Sequence, residues 1–262
     1  MTIRPCRRDR RSSRPARALA LLGAAVLATA AAPPAAAQIA LGETGLTLTA
    51  TPALVTDYVF RGISQTRSRP AIQGTAEIAH ESGLYLGAFA SNVAFQGTNA
   101  RQEVDAFAGY RFEALGIAWD LGGILYNYPG YDPGPGQFRL EYFEAALRAS
   151  REFGPVKLLG AFHWSPNFQA QSGNGFYLEG GVDVSLPLEF TASGRLAYQW
   201  IDRNPRFGTP DYLWYSVGVS RPVPGGFTLA LGWYDTTLSR ADCFGGQKVC
   251  AGRVVFSVSR AF

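Results

Sequence analysis

His163, Trp164 and Ser165 are the residues whose types and spacing come closest to hydrolytic chemistry. A base next to a hydroxyl is the start of a nucleophilic pair, but it needs hydrogen-bond reach and a third group to orient it. No nucleophile elbow surrounds a serine, and the chain's other histidine, His80, stands beside a Glu-Ser-Gly turn. An outer-membrane barrel enzyme of lipase or deacylase type, using His163, is therefore an alternative and not the leading reading. Cys243 and Cys250 form a second candidate constellation. No His or third Cys lies near them, so a metal centre lacks ligands. Gly245-Gly246 between them offers a tight reversal, and a close Cys pair in an exported chain points to one disulfide. No phosphate-binding loop pattern occurs, and no cofactor is expected.

A third set is larger. Glu103, Asp105, Arg111, Asp120, Glu144, Arg148, Glu179, Asp183, Glu189 and Arg195 recur on the polar sides of alternating segments. Charges of both signs facing one lumen can line a narrow polar pore, or pair across it and fill it, which leaves a closed structural or receptor barrel as a further alternative. Acidic residues outnumber Arg in this set, which predicts a mild preference for cations if the lumen is open.

Such charges need a scaffold whose side chains alternate between two environments. In 117–125, Ile117, Trp119, Leu121, Gly123 and Leu125 share one face and Ala118, Asp120 and Gly122 the other. In 176–186, Phe176, Leu178, Val182, Val184 and Leu186 oppose Tyr177, Glu179, Gly181, Asp183 and Ser185. Period-two alternation over about ten residues, repeated between turn formers, is the pattern of a transmembrane β-barrel. Twelve segments show it, at 46–61, 70–80, 84–95, 102–113, 116–128, 138–151, 155–164, 175–186, 188–201, 211–221, 226–237 and 252–262. The expected fold class is all-β, a transmembrane antiparallel barrel of about 12 strands over 38–262. Connections after even strands are short and those after odd strands long, the rhythm of periplasmic turns and external loops. Trp164, Trp200, Trp214 and Trp233 fall near the long-loop ends and are expected in an outer aromatic girdle. A soluble β-sandwich would alternate too, but it would expose a more charged surface than 17% charged residues provide.

Both ends of the chain fit export. Residues 1–37 carry seven Arg, an Ala- and Leu-rich stretch from Ala18 to Ala32, and Ala35-Ala36-Ala37 as a cleavage site, and so read as a signal peptide. Its removal takes away the basic excess, so nothing in the charge points to nucleic acid. The last segment ends in Phe262, a terminal aromatic like that on the closing strands recognised by barrel-assembly machinery. Outer-membrane lipid, that machinery and small polar solutes are the expected partners, and the cell outer membrane the expected location.

One stretch is more specific. Asp57-Tyr58-Val59-Phe60-Arg61-Gly62-Ile63-Ser64-Gln65 is followed by Pro70-Ala71-Ile72-Gln73-Gly74 and by His80-Glu81-Ser82-Gly83-Leu84-Tyr85-Leu86-Gly87. Ser91-Asn92-Val93 and Glu103-Val104-Asp105-Ala106-Phe107-Ala108-Gly109-Tyr110 complete it. This resembles the TorF family of outer-membrane porin-like proteins, also catalogued as Gcw_chp proteins. The motifs cover roughly residues 50–112, and the remaining strands agree in length and spacing. The resemblance implies an exported barrel that passes small solutes. On residue chemistry the motif is read as structural, with Arg61-Gly62 ending the first strand at a sharp bend. Asp57, Arg61 and Gln65 lining a channel mouth is the lesser reading.

Overall fold

The computed structural model describes residues 38–262, so the expected signal peptide, 1–37, lies outside the described residues. Twelve long strands follow one another: β1 Leu46–Val55, β2 Ala71–His80, β3 Leu84–Asn92, β4 Gln102–Ala114, β5 Ile117–Tyr126, β6 Tyr142–Phe153, β7 Val156–Ser165, β8 Gly175–Ser185, β9 Thr191–Ile201, β10 Tyr212–Val223, β11 Phe227–Thr236 and β12 Arg253–Arg260. Each pairs antiparallel with the next, and β12 returns to β1 through Ser257–Val55, Val258–Leu54 and Ser259–Ala53. The sheet is thus a closed barrel with no free edge, which suits a wall surrounded by hydrocarbon. Among the described residues, helix is confined to Asn204–Phe207 and two short 3-10 turns.

The alternation sorts as the sequence predicts. Leu54, Ile72, Leu121, Leu178, Leu196 and Val217 are exposed on the outside, while Glu77, Asp105, Asp120, Glu144 and Gln199 are buried inside. This inverts a soluble core, and it is stable only where the outer face meets an apolar medium. Short turns gather at one rim with both ends of the barrel chain, and the six longer connections at the other.

Three expectations are corrected. The first strand ends at Val55, not at 61, because residues 56–70 turn into the barrel. Trp164, Trp200 and Trp233 face outward, but Trp214 is buried on the inner side, where it pairs with Ala197. Its parity along β10 matches Tyr212 and Ser216, both buried, and not Tyr215 or Val217. Glu189 is exposed in the 3-10 turn Pro187–Glu189, so it lies outside the strands and off the lumen.

Candidate functional site

The infolded first connection dominates the lumen at the long-loop rim. Val59-Phe60 pairs with Ile63-Ser64, which leaves Arg61-Gly62 as a two-residue hairpin tip. Both tip residues have positive φ, 48° and 80°, as such a turn requires. Arg61 pays strain there that Gly62 does not. At Gly62 a Cβ would lie 2.5 Å from Thr236 Cγ2, so only Gly lets the tip seat against the wall. The stem is pinned by Asp57, which accepts hydrogen bonds from the hydroxyls of Ser64 (2.6 Å) and Thr66 (2.7 Å). Arg253 of β12 adds an ion pair to the same carboxylate at 2.8 Å.

This tip carries Arg61 across the lumen. The loop starts and ends at β1 and β2, yet Arg61 donates to Glu144 Oε2 of β6 and to Gln199 Oε1 of β9, both at 2.7 Å. Its guanidinium carbon also lies 4.0 Å from the centre of the Tyr177 ring of β8. His163 of β7 completes the dock, with Nδ1 3.0 Å from Glu144 Oε2. In a twelve-membered ring β7 stands opposite β1, so these contacts join facing walls. Burial by itself lowers the Arg61 pKa, but the Glu144 carboxylate and nearby phenols more than reverse this, and the guanidinium stays charged. The Ser165 hydroxyl, two residues beyond His163, is buried without a hydrogen-bond partner. His163 therefore bonds Glu144 here and makes no hydrogen bond to Ser165.

Toward the short-turn rim, two further ion clusters sit on the walls. Arg111 of β4 grips Glu77 of β2 with both terminal nitrogens, at 2.6 and 2.8 Å, a bidentate pair. It also reaches Asp120 at 3.3 Å, as Arg148 does at 3.7 Å. The Tyr85 hydroxyl donates to Asp120 at 2.6 Å. To get there the phenol lies flat over Gly109, where a Cβ would come within 2.4 Å of its oxygen. Across the barrel, Arg195 of β9 pairs with Asp183 of β8 at 2.8 Å and approaches Glu179 at 4.0 Å. Tyr177 donates a hydrogen bond to Glu179.

Glu103 and Asp105 occupy the inner face of β4 near the long-loop rim, where the Tyr58 hydroxyl donates to Glu103 at 2.6 Å. Nine of the ten charged residues named from alternation therefore stand on the barrel wall, and Glu189 does not. Arg61, Glu77, Asp57 and Arg253 belong to the same networks but were not among them. Glu77 could have been found by parity within β2. Arg61, with Asp57 and Gln65, is offered by the sequence only in the lesser reading as a channel-mouth residue, and its partners, 83 and 138 residues away, are not legible there.

Cys243 and Cys250 are bonded, with Cα atoms 6.0 Å apart, and Gly245-Gly246 makes the reversal with φ of 72° and 98°. The bonded loop leans on the infolded hairpin: the Ser64 N–H donates to Val249 O at 2.9 Å. Beside Arg61, Phe60, Phe95, Phe168, Phe207 and Phe244 line a partly open pocket.

This architecture matches solved porins. The structure titled "KdgM porin" superposes with a TM-score of 0.53 at 10% identity, covering 82% of this chain and 98% of that one. One titled "NanC porin structure in rhombohedral crystal form" gives 0.52 at 8% identity, over 82% and 98%. At such identities the likeness is one of fold. No curated protein sequence matches the chain. A family model described as "Bacterial protein of unknown function (Gcw_chp)" matches residues 39–262, and that description does not include the TorF name. Since the match runs over the whole described barrel, the chain belongs to the Gcw_chp family of bacterial proteins.

Proposed function

We propose that the protein is an outer-membrane channel for passive diffusion of small polar solutes, with the infolded hairpin as its constriction. The observation that carries this reading is the charged lumen inside an apolar outer wall, crossed at one end by Arg61. Porin fold neighbours and the resemblance to TorF porins support it, as does the wall's need for lipid around it. On this reading residues 1–37 are a signal peptide, the short-turn rim is periplasmic, and Phe262 is read by barrel-assembly machinery.

Purified protein in a planar bilayer should give discrete unitary currents, and liposomes carrying it should swell in small sugars or amino acids. No permeability above empty liposomes sinks the channel reading. A second reading, a closed structural barrel, draws on the Arg61 dock, because a permanently seated hairpin would fill the mouth. Current that appears only in hairpin variants would favour it.

Selectivity follows from the lumen charges. Dropping Glu189 and adding Arg61 and Arg253 weakens the acidic excess, and Glu77 and Asp57 restore part of it. Reversal potentials in a salt gradient should show a mild cation preference. Anion preference would mean that the arginines are exposed to the permeating ions and the carboxylates are not.

A further inference from the structure

Among the buried lumen carboxylates, Glu103 and Asp105 stand apart. Glu77, Asp120, Glu144, Asp183 and Asp57 each have an arginine within 4 Å. No ion pair joins Glu103 or Asp105 to a basic side chain among the described residues. Both are nonetheless buried, 2% and 0% exposed, on the same face of β4 two residues apart. Asp105 Oδ1 accepts a long backbone bond from the Asn127 N–H, at 3.4 Å, Oδ2 is buried with no hydrogen-bond donor, and the two carboxylates lie within hydrogen-bond reach of each other. Two ionised carboxylates in one dry site need compensating positive charge, from a bound cation or a shared proton, because burying unpaired charge costs far more than any hydrogen bond returns.

The other groups around the pair are oxygen donors. The Tyr58 hydroxyl bonds Glu103, and Tyr128 faces the same two acids. A phenol is neutral at neutral pH, so the rings are neutral oxygen ligands and supply no charge. Carboxylate and neutral oxygens without nitrogen or sulfur form the donor set of a hard divalent cation.

We propose that Glu103 and Asp105, with Tyr58, form a binding site for a hard divalent cation of the calcium or magnesium type, held between β4 and the infolded hairpin. Asp105 Oδ2 supplies the free ligand and Glu103 the second carboxylate. Tyr58 belongs to the hairpin, so an occupied site ties the constriction to β4 in addition to the Arg61 dock on β6, β8 and β9. This needs no transport activity, and its test does not depend on the channel reading.

The test uses the purified full barrel in detergent. Calcium added after chelator treatment should raise the midpoint of thermal unfolding followed by circular dichroism. Terbium, used as a luminescent probe, should bind where tyrosine excitation sensitises its emission, and calcium should compete it off. Asp105→Asn should weaken calcium binding by about tenfold or more, since affinity in oxygen sites follows ligand charge. Glu103→Gln should act in the same direction and serves as the second variant if the first fails to fold. Wild-type protein that shows neither a calcium-dependent midpoint nor competed terbium emission overturns the site. So does calcium binding that both variants retain. A pair neutralised by a shared proton would give that first result, with a midpoint that rises on acidification instead.

Discussion

Replacing Arg61 with alanine should release the hairpin from the far wall and enlarge the unitary current. Arg61 is the one residue that joins the first connection to β6, β8 and β9 together, through Glu144, Tyr177 and Gln199. Removing one partner of a buried ion pair costs about 3–5 kcal/mol, because the other charge is left without compensation. Here the orphan is Glu144, with a side chain 2% exposed. A loss of that size approaches the swing that takes a two-state loop from almost always docked to mostly free. The bilayer record should therefore show larger and noisier currents in Arg61→Ala than in wild type. Glu144→Gln should move the current the same way, and the double variant should fall short of the sum, as for residues in one network. Unchanged conductance in both single variants would place the constriction elsewhere. If the barrel instead loses its stability, the closed structural reading gains.

Much of this wall was legible in the sequence, because the signal is local. Side chains in a strand alternate by geometry alone, so parity within each run separates lipid-facing Leu121 from lumen-facing Asp120 without any knowledge of neighbours. Loop lengths then order the strands into a meander, and Gly245-Gly246 makes the Cys243–Cys250 bond sterically natural. The hairpin was hidden for the opposite reason. Residues 56–61 continue a plausible alternation, and only contacts with distant strands show that they leave the wall. Trp214 sits at the height of a girdle residue, but its parity along β10 is that of the lumen face. Glu189 continues a local alternation, but Pro187 opens a turn that keeps residues 187–190 out of the ladder. The ion networks lie between these cases. Parity puts Arg111, Asp120 and Glu77 inside, but the bidentate grip depends on β2 and β4 flanking β3, which is a fact of topology.

Deleting Phe262 should weaken barrel closure by two separable routes. The β12–β1 seam has the shortest ladder of the long-strand pairs: Ser257 to Ser259 pair with Val55 to Ala53, and then Pro52 follows. Proline has no N–H to give, so the next position cannot make a complete hydrogen-bonded pair. Beyond it Phe262 restores the seam, donating to Ala50 O at 2.9 Å and accepting from the Ala50 N–H at 3.1 Å. In water two such bonds contribute about 1 kcal/mol each, and each group left unpaired in hydrocarbon costs several. The deletion should therefore lower the unfolding temperature of barrel refolded in detergent, where no assembly machinery is present. Phe262→Ala keeps both backbone bonds and removes only the ring. It should leave detergent stability close to wild type but reduce the yield of heat-modifiable barrel in cell membranes, if the ring is what the machinery reads. Equal loss of stability in the two variants would assign the effect to ring packing beside Arg260, whose guanidinium lies 4.4 Å from the Phe262 ring centre. Full yield from Phe262→Ala in cells would remove the assembly role and leave Phe262 as a seam residue alone.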